Sequence, residues 1–110
     1  MTDKAKKYLS DIVQAIALIE EFMEGINEFE DYQADLKTKS AVERQLAIVG
    51  EAVNKFRNIE EDYELTHTRQ IVDFRNRIIH AYDNLDDSII WAIIKTHLPV
   101  LKDEVEQGLN

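Results

Sequence analysis

The stretch TKSAVERQLAIVGEAVNKF, residues 38–56, decides the fold class of this 110-residue chain. Its large apolar residues recur at three- and four-residue spacing, as Val42, Leu46, Val49, Val53 and Phe56. This spacing places them on one side of an α-helix, where they form a stripe that another element must cover. Gly50 lies inside the same helix and costs it about 1 kcal/mol relative to alanine. We therefore expect another backbone to pass close to Gly50.

Three further segments have the same helical periodicity. Two of them span residues 4–26 and 66–81, and the last begins near Asp86 or Asp87 as the N-cap and continues past Leu101. Pro99 lies inside this last segment and is expected to kink or divide it, because proline removes a backbone donor.

The connections are short, and little in the composition favours turns. Residues 28–36 favour a short helical piece, and residues 58–65 form a polar connection. The chain has only three glycines and one proline, which favours long helices over a turn-rich β protein. We therefore predict an all-α fold, an antiparallel bundle of four to five helices that forms a single domain over residues 1–110.

The composition excludes several classes of site. With no cysteine, the chain has neither disulfides nor thiolate metal ligands. No two histidines have helical ligand spacing, and no glycine-rich phosphate loop is present, so we expect no metal site and no cofactor. The N-terminus lacks the apolar run of a signal peptide, and no stretch approaches the length that spans a bilayer. We therefore expect a cytoplasmic protein with no membrane partner.

The net charge of -9 is unusual for a nucleic-acid binder, but the charge is segregated along the chain. Residues 11–36 carry eight acids and no base, whereas residues 37–58 carry five bases against two acids. Residues 67–82 carry three arginines against one aspartate. This pattern leaves room for a local positive site. The acidic part is either a solvated helix face or a surface that limits indiscriminate binding or meets a basic partner.

The helix predicted over residues 66–81 carries the candidate chemistry. On a helical wheel its core stripe consists of Ile71, Phe74, Ile78 and Ala81. Val72 and Ile79 form a second apolar patch, which Arg75 borders on one edge. Asn76 and His80 border the other edge. A helix with two apolar sides needs two partners, namely the bundle core and either a neighbouring helix or a second copy of the chain.

Arg75 and His80 are separated by about 140° around this helix and cannot easily touch within it. Both can line one groove if a second surface covers the patch between them, which suggests a site at a dimer interface. RNA is cut without metal when its 2′-hydroxyl attacks the adjacent phosphate, a step that needs a base, an acid and cations. Histidine suits the proton transfers and arginine suits the phosphate.

Each of these residues also has a purely structural interpretation. Arg75 and Arg77 can be surface charges, and His80 can cap the C-terminus of its helix. Tyr82 can be an aromatic residue at the edge of the core. The two-sided helix is also compatible with a plain helical dimerisation scaffold.

The whole string FRNRIIHAY, residues 74–82, resembles the signature of HepT-type proteins of the HEPN superfamily. That signature is an arginine, a polar residue, three further positions, a histidine, one position and a tyrosine. Residues 41–53, with their Gly-Glu-Ala element, and the Leu98-Pro99 step are similar to the family as well. The resemblance extends over nearly the whole chain, in order.

The resemblance implies a HEPN-type helical bundle and a homodimer with a composite cleft. It implies a metal-independent endoribonuclease toxin that cuts RNA to leave 2′,3′-cyclic phosphate and 5′-hydroxyl ends. Carried over by position, Arg75 and His80 are the catalytic pair, with Asn76 and Arg77 as supporting, substrate-binding residues. Tyr82 matches the tyrosine that a cognate minimal nucleotidyltransferase antitoxin of the MntA type modifies with AMP.

The alternative is a non-catalytic HEPN subunit that binds nucleotide or presents substrate for a nucleotidyltransferase. Such relatives usually lack the full arginine–histidine signature, which this chain has.

Overall fold

The computed structural model describes residues 1–80 and 85–110, so that residues 81–84 and the side chain of His80 lie outside the described part. The elements in chain order are α1 (Asp3–Phe22), α2 (Phe29–Ala34), α3 (Leu36–Ile59), α4 (Thr68–His80), α5 (Asp87–Ala92), a π-helical segment (Ile93–His97) and α6 (Leu98–Leu109). The last three follow one another without a break and form one helical rod. Within the described residues there are therefore four long helical elements, the short α2 and no strand, which confirms the predicted all-α bundle.

The helix ends are set by short polar side chains and by one glycine. Thr2 caps α1 by accepting a hydrogen bond from the Ala5 amide, and Asp35 caps α3 by accepting one from the Thr38 amide. Helix α3 consequently begins slightly before the predicted start at residue 38. Gly25 has a φ of 84°, a left-handed conformation that turns the chain away after α1 and ends this helix short of the predicted residue 26.

The last rod begins where the sequence predicts, with Asp86 as its N-cap accepting a hydrogen bond from the Ser88 amide. It widens into the π-helical segment immediately before Leu98 and Pro99. In a regular α-helix the proline ring would clash with the carbonyl of Lys95, four residues earlier. The wider π turn relieves this clash, so Pro99 divides the rod as predicted without breaking it.

The long helices pack in antiparallel pairs around one core. The start of α1 meets the end of α3, where the Lys55 ammonium lies 6.0 Å from the centre of the Tyr8 ring. The end of α1 meets the start of α6 through the Lys102–Glu20 ion pair at 3.2 Å. Helix α4 packs against α3, and α2 packs against α3 and α5. No helix in the described ranges is long and apolar enough to cross a membrane.

Two histidines join the loop before α4 to the last rod. The ring of His67 lies 4.5 Å from the ring of His97, centre to centre. His67 has a φ of 62°, and its carbonyl accepts the Ile71 amide in the first turn of α4. Burial lowers the pKa of His97, and the nearby His67 lowers it further. This packing gives both histidines a structural role at the start of α4.

The pKa of His97 predicts a loss of stability in acid. The unfolded chain takes up a proton on this residue as the pH falls below about 6.5, whereas the folded chain resists protonation. The free energy of unfolding should therefore decrease as the pH falls from 7.5 to 5. We expect His97→Gln to lose less stability over this range than the wild type in urea titrations at both pH values. An identical pH dependence in the two proteins would contradict this assignment.

Candidate active site

The candidate site is built around a close contact between α3 and α4. A Cβ atom added to Gly50 would lie 2.3 Å from Cβ of Arg75, 2.9 Å from its Cγ and 3.2 Å from the Ile71 carbonyl oxygen. Only glycine fits at this point, because the opposing atoms belong to the backbone and to the base of the arginine side chain. The predicted close approach at Gly50 is therefore confirmed, and the element that approaches it is the helix that carries Arg75.

This contact leaves Arg75 half-buried with part of its hydrogen-bonding capacity unused. Its Nη1 donates a hydrogen bond of 3.0 Å to Oδ1 of Asn76. Its Nε is buried and has no hydrogen-bond partner among the residues that the structure describes. A buried donor without a partner costs about 1–3 kcal/mol, and hydrogen bonds from an ionised donor to an anion are the stronger kind. The Nε is out of reach of solvent, so an anion such as a phosphate would meet the guanidinium at its outer nitrogens.

A second cation lies within electrostatic range of Arg75. The pKa of Lys55 is raised by its hydrogen bond with Glu51 and by the charge of that carboxylate, and the positive charge of Arg75 opposes this rise. The Lys55–Glu51 pair is about half exposed, at 3.0 Å, and exposed pairs of this kind contribute little to stability. Lys55 can therefore exchange Glu51 for another anion. Sequence reasoning did not select Lys55, because its proximity to Arg75 depends on how α3 and α4 pack.

Arg77 lies on a different side of α4 from Arg75. It is exposed and lines a groove of about 390 Å³ between α4 and the last rod, together with Asp73 and Ser88 among others. The hydrogen bonds from Ser88 have the largest part in lowering the pKa of Asp86, and the positive charge of Arg77 lowers it further. The structure therefore brings Asn76 together with Arg75 and keeps Arg77 apart from them.

The apolar patch predicted between Arg75 and His80 is smaller than expected. Ile79 is 36% exposed, but Val72 is only 6% exposed and belongs to the core. Of the two partners that the sequence left open for this side of α4, the chain itself therefore covers Val72. Ile79 remains as the apolar residue on this face.

The two remaining predicted residues are at the edge of the described part. Helix α4 is continuous from Arg75 to His80, so these two positions are about 140° apart around its axis. The side chain of His80 and the whole of Tyr82 lie outside the described residues. Among the residues that are described, no group of three histidine, aspartate or glutamate side chains is arranged to hold a metal ion.

Together the described elements form an all-α domain with a half-buried arginine, Arg75, at the contact between α3 and α4. The family model described as "Ribonuclease HepT-like" matches residues 12–108. The chain belongs to the HepT-like ribonuclease family.

Relatives of similar length support this assignment. A protein of Thermococcus cleftensis named "Probable ribonuclease HepT" is 42% identical over 106 residues, which cover 93% of each chain. A "Putative RNase" of Caldanaerobacter subterraneus is 31% identical and covers 96% of this chain and 94% of its own. A "Putative RNase" of Methanocaldococcus jannaschii is also 31% identical, covering 92% of this chain and 93% of its own. No solved structure matches the chain.

Proposed function

We propose that this chain is a metal-independent endoribonuclease that acts as the toxin of a toxin–antitoxin pair. The observation that carries the proposal is the half-buried guanidinium of Arg75, whose Nε has no hydrogen-bond partner among the described residues. Membership of the HepT-like ribonucleases supports RNA as the anion that this site receives. An RNA substrate also places the proposed activity in the cytoplasm.

The proposed reaction uses the 2′-hydroxyl of the RNA as the nucleophile. A base removes its proton, the 2′-oxygen bonds to the adjacent phosphorus, and the bond from phosphorus to the 5′-oxygen breaks. An acid returns a proton to that leaving oxygen, which leaves a 2′,3′-cyclic phosphate and a 5′-hydroxyl. Because the RNA supplies its own nucleophile, the step needs proton carriers and cations, which histidine and arginine provide.

In this reaction Arg75 stabilises the negative charge that develops on the phosphate oxygens. Asn76 accepts a hydrogen bond from Arg75 and so holds the orientation of the guanidinium. We assign the proton transfers to His80, with one copy from each protomer serving as base and as acid. Arg77, on the other side of α4, suits a flanking phosphate of the same RNA strand.

A cleavage assay in EDTA tests the proposed function. Purified wild-type protein is incubated with RNA in parallel with His80→Ala protein prepared in the same way. We expect the wild type to cut the RNA and the variant to leave it intact. Equal cleavage by both preparations, or no cleavage by either, would contradict the proposal.

We further propose that the active site is completed in a homodimer. Positions 75 and 80 are too far apart around α4 to act on one phosphate from a single straight helix. Ile79 lies between them on the helix surface and is exposed in the single chain. A second copy that covers Ile79 would bring Arg75 and His80 of the two protomers into one cleft.

This arrangement predicts that Ile79→Asp separates the dimer. A charge at the centre of an apolar contact must be desolvated, which opposes association. We expect light scattering to give a dimer for the wild type and a monomer for Ile79→Asp, with loss of RNA cleavage. Ile59→Asp is the matched control, because Ile59 is 45% exposed at the far end of α3 and should stay dimeric and active. A wild-type protein that cuts RNA as a monomer would overturn the composite site.

The proposed antitoxin is a cognate minimal nucleotidyltransferase that modifies Tyr82. Transfer of AMP from ATP to the tyrosine hydroxyl would release pyrophosphate and leave a bulky anion two residues from His80. Its negative charge would compete with RNA phosphate for the cations of the site. Modification at this position would therefore inhibit RNA cleavage through its negative charge.

A further inference from the structure

A groove lies away from Arg75, between the second half of α1 and the last helical rod. It has a volume of about 660 Å³, and no residue of α3 or α4 lines it. Its apolar lining consists of Ile16, Ile19, Met23, Ile26, Ile94, Leu98 and Pro99. Four of these, Ile16, Ile19, Met23 and Leu98, belong to the buried core, and Ile26 and Ile94 are partly buried positions packed against it. We call this feature the α1–α6 groove.

Two backbone features open the α1–α6 groove. The left-handed Gly25 turns the chain away from α1, so that nothing continues this helix over the rod. On the other side, the π-helical segment ends where Leu98 and Pro99 line the groove. Single-turn π segments inside α-helices are frequently found at functional sites.

The rim of the groove is acidic. It carries four carboxylates, of Glu20, Glu24, Asp103 and Glu106, against the two ammonium groups of Lys95 and Lys102.

Both lysines of the rim are already engaged. Lys102 donates to both carboxylate oxygens of Glu20 at 3.2 Å, and the Lys95 ammonium lies 4.7 Å from the centre of the Trp91 ring. The hydrogen bond to Glu20 raises the pKa of Lys102, as do the charges of Glu20, Glu106 and Asp103. The net charge of the rim is therefore negative, which disfavours RNA and favours a cationic partner.

The shape of the groove indicates the kind of partner. Its lining runs along residues 94–106 of the rod, which at 1.5 Å per residue is a length of about 18 Å, or roughly three helical turns. Its apolar floor is shorter, since the apolar lining spans Ile16 to Met23 along α1 and Ile94 to Pro99 on the rod, about 10 Å or two helical turns. A floor of this length fits the anchors at i, i+3 or i+4, and i+7 of an amphipathic helix that lies in a groove. We propose that the α1–α6 groove binds a basic amphipathic helix of a partner protein, with its apolar face on the floor and its Lys or Arg residues on the acidic rim.

Fluorescence anisotropy with designed peptides tests this proposal. The probe is a labelled helical peptide of about three turns with leucines on one face and lysines on the other, and the control peptide has glutamate in place of each lysine. We expect the lysine peptide to bind the full-length protein in a salt-dependent way and the glutamate peptide not to bind. Equal binding of both peptides, or no binding of the lysine peptide, would overturn the proposal.

Charge-matched variants separate the groove from the overall negative charge. Glu24→Lys with Glu106→Lys should weaken binding of the lysine peptide by about tenfold or more, because both exposed carboxylates lie on the rim. Glu61→Lys with Glu64→Lys makes the same charge change in the exposed loop between α3 and α4. This second pair should weaken binding of the lysine peptide much less. If both double variants weaken binding of the lysine peptide equally, the peptide is attracted by the net charge of the protein alone and the proposal is wrong. Both variants should keep the RNA cleavage of the wild type, so this test is independent of the proposed active site.

A second copy of this chain is the competing occupant of the groove. If light scattering shows that Glu24→Lys with Glu106→Lys dissociates the wild-type oligomer, the groove belongs to a homodimer contact and the proposal is wrong. If the oligomer is unchanged while peptide binding is lost, the groove serves a different protein.

Discussion

Replacing Arg75 with alanine is expected to lower the rate of RNA cleavage by about 10²–10³-fold while the helical fold is retained. We assign the guanidinium to the phosphate, and a preorganised donor of this kind contributes mainly when charge develops in the transition state. Alanine keeps the Cβ that packs against Gly50, so the contact between α3 and α4 stays in place. The measurement is kcat on a labelled RNA, with circular dichroism as the check on folding.

Two further variants make the Arg75 result specific. Arg77→Ala removes the same charge from the other side of α4 and should raise KM more than it lowers kcat, since we assign it to a flanking phosphate. Arg75→Lys keeps a charge but loses the planar fork, and we expect activity between that of the wild type and that of the alanine variant. If Arg75→Ala and Arg77→Ala lower kcat equally, the special role of Arg75 is wrong.

Substituting Gly50 with leucine is expected to destabilise the protein by about 1–3 kcal/mol and to reduce RNA cleavage as well. Even the first carbon of the new side chain would overlap Cβ of Arg75, at 2.3 Å, and this atom cannot move without moving α4. Helix propensity favours leucine over glycine by up to about 1 kcal/mol, which offsets only part of the loss. Urea unfolding measures the change in the free energy of unfolding. The cleavage assay measures the loss of activity that the displacement of Arg75 should cause.

Gly108 provides the matched control for this substitution. A Cβ atom there would lie 3.0 Å from Cδ1 of Leu9 and 3.2 and 3.3 Å from Cζ and Cε1 of Tyr63, all side-chain atoms that need to shift by only a few tenths of an ångström. We therefore expect Gly108→Ala to leave stability nearly unchanged and activity intact. A Gly50→Leu protein as stable and as active as Gly108→Ala would contradict the account of the α3–α4 contact.

Local patterns in the sequence were sufficient to predict the bundle. Periodic apolar residues located the four long helical elements, Asp86 marked the start of the last one, and Pro99 marked its division. Gly50 predicted a close contact because a glycine in mid-helix is unfavourable unless another element needs the space. The helix ends differed by a few residues where Gly25 and Asp35, rather than the apolar pattern, set them.

The candidate site was less predictable, since it depends on which helix sides are covered. The wheel assigned Val72 and Ile79 to one apolar patch without saying what covers it, and the packing of the chain buries Val72 and leaves Ile79 exposed. Lys55 acquires its place near Arg75 only through the same contact. The acidic α1–α6 groove depends on a π turn and a left-handed glycine that no apolar periodicity indicates.

The most direct test of the proposed chemistry is the identity of the ends that the wild-type protein leaves on a single labelled RNA in EDTA. Attack by the 2′-hydroxyl predicts a 5′-hydroxyl that a kinase can phosphorylate, and a 2′,3′-cyclic phosphate that acid opens to a mixture of 2′- and 3′-phosphates. The Arg75→Ala and His80→Ala proteins should leave the same RNA uncut. Products with 5′-phosphate and 3′-hydroxyl ends, or cleavage that appears only when a divalent metal is added, would contradict the mechanism.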